Sequence, residues 1–238
     1  MARSSMKTLG IIGGIGPEST MQYYRLIQAL YRQRHPDGAY PSIIINSIDV
    51  QRVLALAEAG QLEELVSYLS AELDRLVAAG ADFGLLAANT PHVVFDQLAQ
   101  STPIPLLSIV EVTCRAAKAK DISRVALLGT RSTMQGSFYP QVFGRAGISI
   151  VVPSQEEQDM IHTKYVGELV RGVVSLTTRN VLYAIIERLR RDEGIQGVVL
   201  GGTELSLLLQ EGSLPGLQLL DTTKIHAEAA VEELLSAA

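Results

Sequence analysis

Short apolar stretches alternate with longer stretches of helical periodicity along most of the 238 residues. Apolar stretches that end in glycine or small polar residues are typical of buried parallel strands. Strands are predicted on this basis at residues 9–13, 40–46, 83–87, 124–129, 197–201 and 217–220. Because strands and helices alternate, we expect an α/β fold with doubly wound parallel sheets.

The stretches between the strands carry helix start and stop signals. Pro17 stands where a first helical residue is expected, and this helix is predicted to continue to about Arg34. Gly80 ends an amphipathic helix predicted over 62–79. Pro91 begins another helix, and further helices are predicted over 110–119 and from Thr222 onward.

The strand pattern repeats once along the chain. Residues 124–130 resemble 8–14, and 197–201 resemble 83–87. Gly13 and Ala88 are 75 positions apart, and Gly129 and Gly202 are 73 apart. This spacing predicts two similar halves, the first formed by 1–105 plus 215–238 and the second by 106–214. Ligands in such sheets bind beyond the carboxyl ends of the strands.

Composition and charge exclude several classes of protein. The net charge is −5 and no long basic run occurs, which argues against nucleic acid as a partner. No apolar stretch has the length of a membrane span, and residues 1–8 lack the apolar core of a secretory signal. A single cysteine favours a reducing cytoplasm. Four scattered histidines without a C-x-x-C motif predict no metal site.

A glycine-rich loop, Gly13-Gly14-Ile15-Gly16, follows the first strand and opens a helix. Its backbone N–H groups, Gly14 among them, could contact an anion or a carboxylate. The alternative is a tight turn that needs a positive φ. The loop is a poor nucleotide fingerprint, because the third glycine and a P-loop lysine are absent.

Small polar residues follow the strands in both halves. Asn89 and Thr90 come after one strand, and Thr203 and Glu204 come after its counterpart. Hydroxyl and amide groups at helix starts bind carboxylates, although they also serve as ordinary helix caps. Their matching positions in two halves favour a ligand site. The same two interpretations apply to a third cluster, formed by Thr130, Ser132 and Thr133.

Four other side chains are candidates with competing roles. Arg52 and Lys164 could pair with a ligand carboxylate or could be solvated surface charges. His92 could act as an acid or base, or could cap and pack. Cys114 lies among apolar residues of a predicted helix, which is typical of a buried small hydrophobic residue.

Five motifs together resemble the aspartate/glutamate racemase superfamily, the cofactor-independent amino-acid racemases. They are L-G-I-I-G-G-I-G-P-E-S-T at 9–20, A-N-T-P-H at 88–92, S-I-V-E at 108–111, L-G-T-R-S-T at 128–133 and G-G-T-E-L at 201–205. The resemblance covers nearly the whole chain. It implies two α/β halves related by a pseudo-twofold axis, with the site in the cleft between them, and commonly a second half inserted into the first.

The resemblance also implies a two-base isomerase reaction on a small carboxylate or amino-acid ligand. One cysteine thiolate removes the α-proton, and a second cysteine returns a proton on the opposite face. The residues that match substrate carboxylate ligands are Asn89, Thr90, Thr130 and Thr203, while Arg52 and Lys164 match residues that contribute charge. Neither a metal nor an organic cofactor is implied. Family members are often dimers, so a homodimer is expected.

This chain departs from the family at both catalytic positions. Ala88 and Gly202 stand where the family carries its cysteines, and neither side chain can accept a proton. Ordinary two-cysteine racemisation is therefore not expected. The remaining acid–base candidates are Glu204, His92, Lys164 or a water molecule. The two smaller residues are expected to enlarge the cleft and to admit a bulkier ligand.

Several functions remain compatible with these residues. The chain could be an enzyme of the superfamily that acts on an amino acid or small carboxylic acid. It could instead be a catalytically silent carboxylate-binding or regulatory protein, or a variant of an active racemase in which the cysteines were replaced. A nucleotide-binding module is the most distant alternative.

Overall fold

The computed structural model describes residues 7–35, 38–210 and 212–236. The chain divides into two compact units. Unit 1 comprises Met1–Ile109 and Thr223–Ala238, and unit 2 comprises Val110–Thr222. Unit 2 is therefore inserted into unit 1 along the chain.

Within the described residues, each unit contains one four-stranded parallel sheet. The strand order is β2-β1-β3-β4 in unit 1 and β6-β5-β7-β8 in unit 2. The strands are β1 (Thr8–Gly13), β2 (Ser42–Ser47), β3 (Phe83–Leu86), β4 (Leu106–Leu107), β5 (Arg124–Gly129), β6 (Ser149–Val151), β7 (Gly197–Gly201) and β8 (Gln218–Asp221). The two sheets have the same topology, which confirms the predicted pair of similar α/β halves.

Helices connect the parallel strands. They are α1 (Pro17–Arg34), α2 (Val50–Glu58), α3 (Leu62–Ala78), α4 (Phe95–Ser101), α5 (Ile109–Ala119), α6 (Arg131–Gln135), α7 (Phe138–Arg145), α8 (Gln155–Gly167), α9 (Leu176–Glu193) and α10 (Thr222–Leu235). Short 3-10 helices cover Thr90–Val94, Leu169–Arg171 and Thr203–Leu207. Pro17 occupies the start of α1, as the sequence predicts.

The sheet of unit 1 is covered by helices on both faces. Alternate residues of a strand point to opposite faces, so β1 contributes to two cores. Leu9 and Ile11 pack in one core with α1 and α10, whereas Ile12 packs in the other with α3. This two-sided burial is the doubly wound arrangement that the apolar strands predict.

The strand nearest the C-terminus corrects the predicted division of the chain. Residues 215–238 were expected to join the first half, but β8 pairs with β7 from Gly197↔Gln218 to Leu200↔Asp221. The Thr222 hydroxyl also donates to the carbonyl of Leu200. At the other boundary, β4 pairs with β3 and belongs to unit 1, although residue 106 was expected to begin the second half. Pairing with an existing strand satisfies the backbone groups of both short segments.

The sequence predicts no membrane-spanning segment, and the helices can be compared with that prediction. In the parts of the chain that the structure describes, no helix combines the length and the apolar character needed to cross a bilayer.

Candidate functional site

The carboxyl end of β3 carries the first polar cluster into a tight 3-10 turn. Ala88, Asn89 and Thr90 are all buried there. Asn89 stands at the helix N-cap position in a helical conformation, and its side chain makes no capping hydrogen bond. N-capping therefore does not explain this asparagine. Ala88 places a methyl group at this strand end.

His92 is fixed as part of the scaffold. The backbone N–H of Ile109 donates to its Nε2 at 3.1 Å, so Nδ1 carries the proton and donates to the carbonyl of Ala88 at 3.0 Å. The ring also stacks on Phe95, with 5.0 Å between ring centroids. Burial lowers the pKa of His92 to about 3. The prediction of His92 as a catalytic acid or base is corrected accordingly, because both ring nitrogens are engaged and the ring is neutral.

A second buried histidine extends this polar network in unit 1. His226 on α10 lies 6.4 Å from His92 between ring centroids. The Tyr23 hydroxyl donates to its Nδ1 at 2.8 Å, and its Nε2 donates to the carbonyl of Leu107 at 3.0 Å. Burial lowers the pKa of His226 to about 4. The two rings thus hold the segment from Leu107 to Ile109, after which the chain enters unit 2.

The glycine-rich loop is a self-contained turn. Gly14 has a φ of 80°, and its N–H donates to the Thr20 hydroxyl at 2.8 Å. A Cβ on Gly14 would lie 2.3 Å from the carbonyl oxygen of Ile48. The interpretation of the loop as a tight turn is thus the one that its contacts support. The Gly14 N–H is engaged within the turn, so it does not support the predicted contact with an anion.

Gly14→Ala is expected to lower the free energy of unfolding by about 3 kcal/mol, from positive-φ strain and overpacking together. Gly80→Ala is the matched control, since Gly80 has a φ of 92° and open space around its Cβ position. It should lose about 1 kcal/mol from strain alone. Urea unfolding of both variants measures the difference, and equal losses would contradict the crowding at Gly14.

The hydroxyl cluster after β5 is mainly a helix cap. The Thr130 side chain accepts a hydrogen bond from the backbone N–H of Thr133 and lies 3.0 Å from the Thr133 hydroxyl. Thr133 is fully buried and packs at the start of α6. Ser132 is only partly buried. Of the three residues, Thr130 and Thr133 therefore have a local structural role at the start of α6.

The carboxyl end of β7 carries the counterpart cluster, and a tyrosine that the sequence analysis missed completes it. Tyr165 on α8 donates its hydroxyl hydrogen to Oε2 of Glu204. The Thr203 hydroxyl donates to the same oxygen at 2.8 Å. All three side chains are buried. Burial raises the pKa of the Tyr165 phenol well above its ordinary value, and the nearby Glu204 carboxylate adds to the effect.

The space beside Gly202 is occupied. A Cβ on Gly202 would lie 2.3 Å from Cε2 of Tyr165. The expectation that the small residue at 202 enlarges the ligand space is therefore wrong on this side, because the aromatic ring fills the volume. No pattern along the chain signals this contact, since Tyr165 lies on a different element and resembles an ordinary core residue of α8.

The two predicted cations have different surroundings. The exposed Arg52 side chain on α2 lies over the ring of Tyr68, 4.1 Å from its centroid. Lys164 forms an ion pair with Glu168 at 2.5 Å. This pairing lowers the pKa of the Glu168 carboxyl, with help from the Thr178 hydroxyl. Arg52 is thus held by an aromatic ring, whereas the charge of Lys164 is offset by a carboxylate one helical turn away.

Cys114 lies on α5, where it is buried, as its apolar neighbours predict. Its Sγ lies 3.8 Å from the carbonyl oxygen of Val142. Burial raises the pKa of the thiol. In the described part of the chain, histidine, cysteine and acidic side chains form no group of three suited to a metal ion.

Known proteins place the chain in one family. Residues 12–230 match the Asp/Glu/Hydantoin racemase family. A broad-specificity amino-acid racemase of Bacillus subtilis, RacX, is 27% identical over 147 residues. That match covers 60% of this chain and 63% of RacX, less than two thirds of the length of this relative.

Two crystal structures share the fold across almost the whole chain. One, assigned as an Asp/Glu racemase from Yersinia pestis, is 32% identical, with a TM-score of 0.87, and the match covers 97% of this chain and 100% of that one. The other, an aspartate racemase homologue from Pyrococcus horikoshii, is 33% identical, with a TM-score of 0.83 and the same coverage of both chains. Taken together with the topology of its two sheets, these matches show that the chain belongs to the Asp/Glu/Hydantoin racemase family.

Proposed function

We propose that this protein binds an amino acid or small carboxylic acid and does not racemise it by two-thiol proton exchange. One observation carries this proposal: the strand ends that hold the family's cysteines carry Ala88 and Gly202 here, in an otherwise well-formed family fold. A methyl group and a hydrogen atom cannot exchange a proton with a substrate carbon.

The polar side chains after β3 support ligand binding. Asn89 and Thr90 are buried polar residues at the start of a 3-10 helix. The motif A-N-T-P-H at 88–92 resembles the family motif whose asparagine and threonine hold the substrate carboxylate. We propose that these two residues contact the ligand carboxylate, with Arg52 of the same unit as a further candidate. The amino-acid racemase and aspartate racemase homologue among the relatives favour an amino acid as the ligand.

The other ionisable candidates do not replace the thiols. His92 is neutral and engaged at both nitrogens. Glu204 accepts two hydrogen bonds, and Lys164 is paired with Glu168. Cys114 is buried within α5, and its thiol pKa is raised. General acid–base groups each contribute roughly 10²–10⁴-fold to a rate, so the loss of both bases leaves a binding protein as the better-supported proposal.

Calorimetric titration with L- and D-aspartate, L- and D-glutamate and a panel of other amino acids tests the binding. We expect a heat of binding for at least one of them, and no deuterium incorporation at its Cα in D₂O above the rate without protein. Binding without exchange is the expected combination. Proton exchange at ordinary enzyme concentrations, or no binding to any amino acid in the panel, would contradict the proposal.

Asn89→Ala tests the proposed carboxylate contact. It should weaken binding about tenfold or more, because a hydrogen bond to a charged group contributes about 1.5–3 kcal/mol. Asn180→Ala is the matched control, since Asn180 is an exposed residue of α9. Equal affinity in both variants would remove Asn89 from the site.

A further inference from the structure

Gly202 is crowded by the neighbouring Tyr165 ring, and its backbone conformation does not itself require glycine. Gly202 has a φ of −134° and a ψ of 122°, an extended conformation that any residue adopts. An added Cβ would nevertheless lie 2.3 Å from Cε2, 2.8 Å from Cζ and 3.0 Å from the hydroxyl oxygen of Tyr165. Such distances are far below an ordinary van der Waals separation of carbon atoms. Glycine is therefore required here by the tyrosine ring.

The ring is held from both ends. Its backbone belongs to α8, whose buried residues Ile161 and Tyr165 pack in the core of unit 2. Leu169, which follows α8, packs in the same core. Its hydroxyl donates to Glu204, which is itself buried and also bound by Thr203. Moving the ring to admit a larger residue 202 would break a hydrogen bond to a buried carboxylate, and such groups are expensive to leave unsatisfied.

We propose that Tyr165 closes the position of the family's second thiol, so that Gly202, Tyr165 and Glu204 form one packed unit in which no side chain at residue 202 can be accommodated. This inference rests on the proposed function, which takes residue 202 as the counterpart of the family cysteine. Tyr165 thus determines specificity by occupying volume. It does not replace the thiol as an acid, because its single hydroxyl hydrogen is donated to Glu204.

The closed position also bears on the origin of Gly202. A cysteine at residue 202 would require the Tyr165 ring to lie elsewhere, because its Cβ would meet that ring. Here the neighbouring tyrosine, its carboxylate partner and the glycine fit one another. We infer that Gly202 is an integral part of this protein and that the residue cannot change alone.

A double-mutant cycle tests the coupling. Urea unfolding is measured for the wild-type protein, Gly202→Ala, Tyr165→Leu and the double variant. In the wild-type background, Gly202→Ala should raise the unfolded-to-folded ratio tenfold or more. In the Tyr165→Leu background, the same change should alter that ratio less than threefold. If Tyr165→Leu does not fold, Tyr165→Met provides a flexible side chain of adaptable shape for the same cycle.

Tyr165→Phe is the matched control, because it keeps the ring and removes only the hydroxyl. Gly202→Ala should remain harmful in the Tyr165→Phe background, although less so than in the wild-type protein, because the ring still occupies the space but no longer breaks a hydrogen bond to Glu204 when it moves. The proposal is overturned if Gly202→Ala is tolerated in the wild-type background, or if its effect is the same in all backgrounds. Titration of the wild-type protein with the whole panel of amino acids separates the two proposals, since absence of binding to every one of them would contradict the proposed function without changing the unfolding cycle.

Discussion

Cysteines introduced together at positions 88 and 202 are expected to give no measurable racemisation unless Tyr165 is shortened as well. Ala88 already carries a Cβ, so a cysteine there adds one sulfur atom. At position 202 the added Cβ would already lie 2.3 Å from Cε2 of Tyr165. The triple variant A88C/G202C/Y165L should therefore exchange the α-proton of L-aspartate or L-glutamate at least about 10²-fold faster than A88C/G202C, the lower end of the range for one acid–base group.

Proton NMR in D₂O measures this exchange, and chiral chromatography measures the D-enantiomer that accumulates. The control A88C/Y165L has the added space and one thiol, but lacks the sulfur at position 202. It should accumulate no D-enantiomer. Racemisation by A88C/G202C at the rate of the triple variant would show that Tyr165 does not close the position.

Stability is expected to fall as the pH is lowered from 7 to 5, because His92 and His226 are buried as neutral rings. Their pKa values of about 3 and about 4 lie below the ordinary 6.5. Each histidine thus binds a proton in the unfolded chain at a pH where the folded ring stays neutral. Their stabilisation is complete above about pH 6.5 and is lost as the pH falls towards the folded values. At pH 5 the loss amounts to about 2 kcal/mol for each ring.

The main physical cause is burial, which disfavours the charged ring, and protonation would also bring two hydrogen-bond donors together at each histidine. Protonation of His92 would place a hydrogen on Nε2, which accepts from the N–H of Ile109, and protonation of His226 would do the same at Nδ1 beside the Tyr23 hydroxyl. Urea unfolding at several pH values between 5 and 7 measures the slope in a window above the ordinary carboxyl range. His92→Gln should remove about half of the slope, even where it lowers stability at every pH.

His35→Gln is the control for that experiment, because His35 lies outside the buried pair and stacks on Tyr31. It should alter the slope much less than His92→Gln. If the free energy of unfolding of the wild-type protein hardly changes between pH 7 and pH 5, the folded state does not require the two rings to be neutral.

The fold was predictable because its signals are local. An apolar strand, a glycine or small polar residue and a helix start follow one another within a few residues, as at Gly13 to Pro17 and at Gly201 to Thr203. Their repetition at nearly equal spacing predicts two sheets of one topology, and the structure confirms it. The prediction that β8 joins the first half was wrong, because β8 pairs with β7. No local sequence pattern indicates which strand it pairs with.

The candidate site was predictable in its positions but not in its contacts. The motifs locate the strand ends at Ala88 and Gly202, and the absence of cysteine there can be read directly. The roles of His92 and Gly14 could not be read in this way. Their hydrogen bonds go to Ile109 and Thr20, and only the folded chain decides which donors and acceptors meet.

By itself, then, the sequence determined the family, the two repeated sheets and the absence of cysteine at residues 88 and 202, since all of these follow from residue type and from spacing along the chain. Only the tertiary structure decided that the space beside Gly202 is filled. Tyr165 reaches Gly202 from a different helix and is fixed there by Glu204. Packing in three dimensions brings these residues together, and for that reason a small residue in the sequence does not mean an open space in the protein.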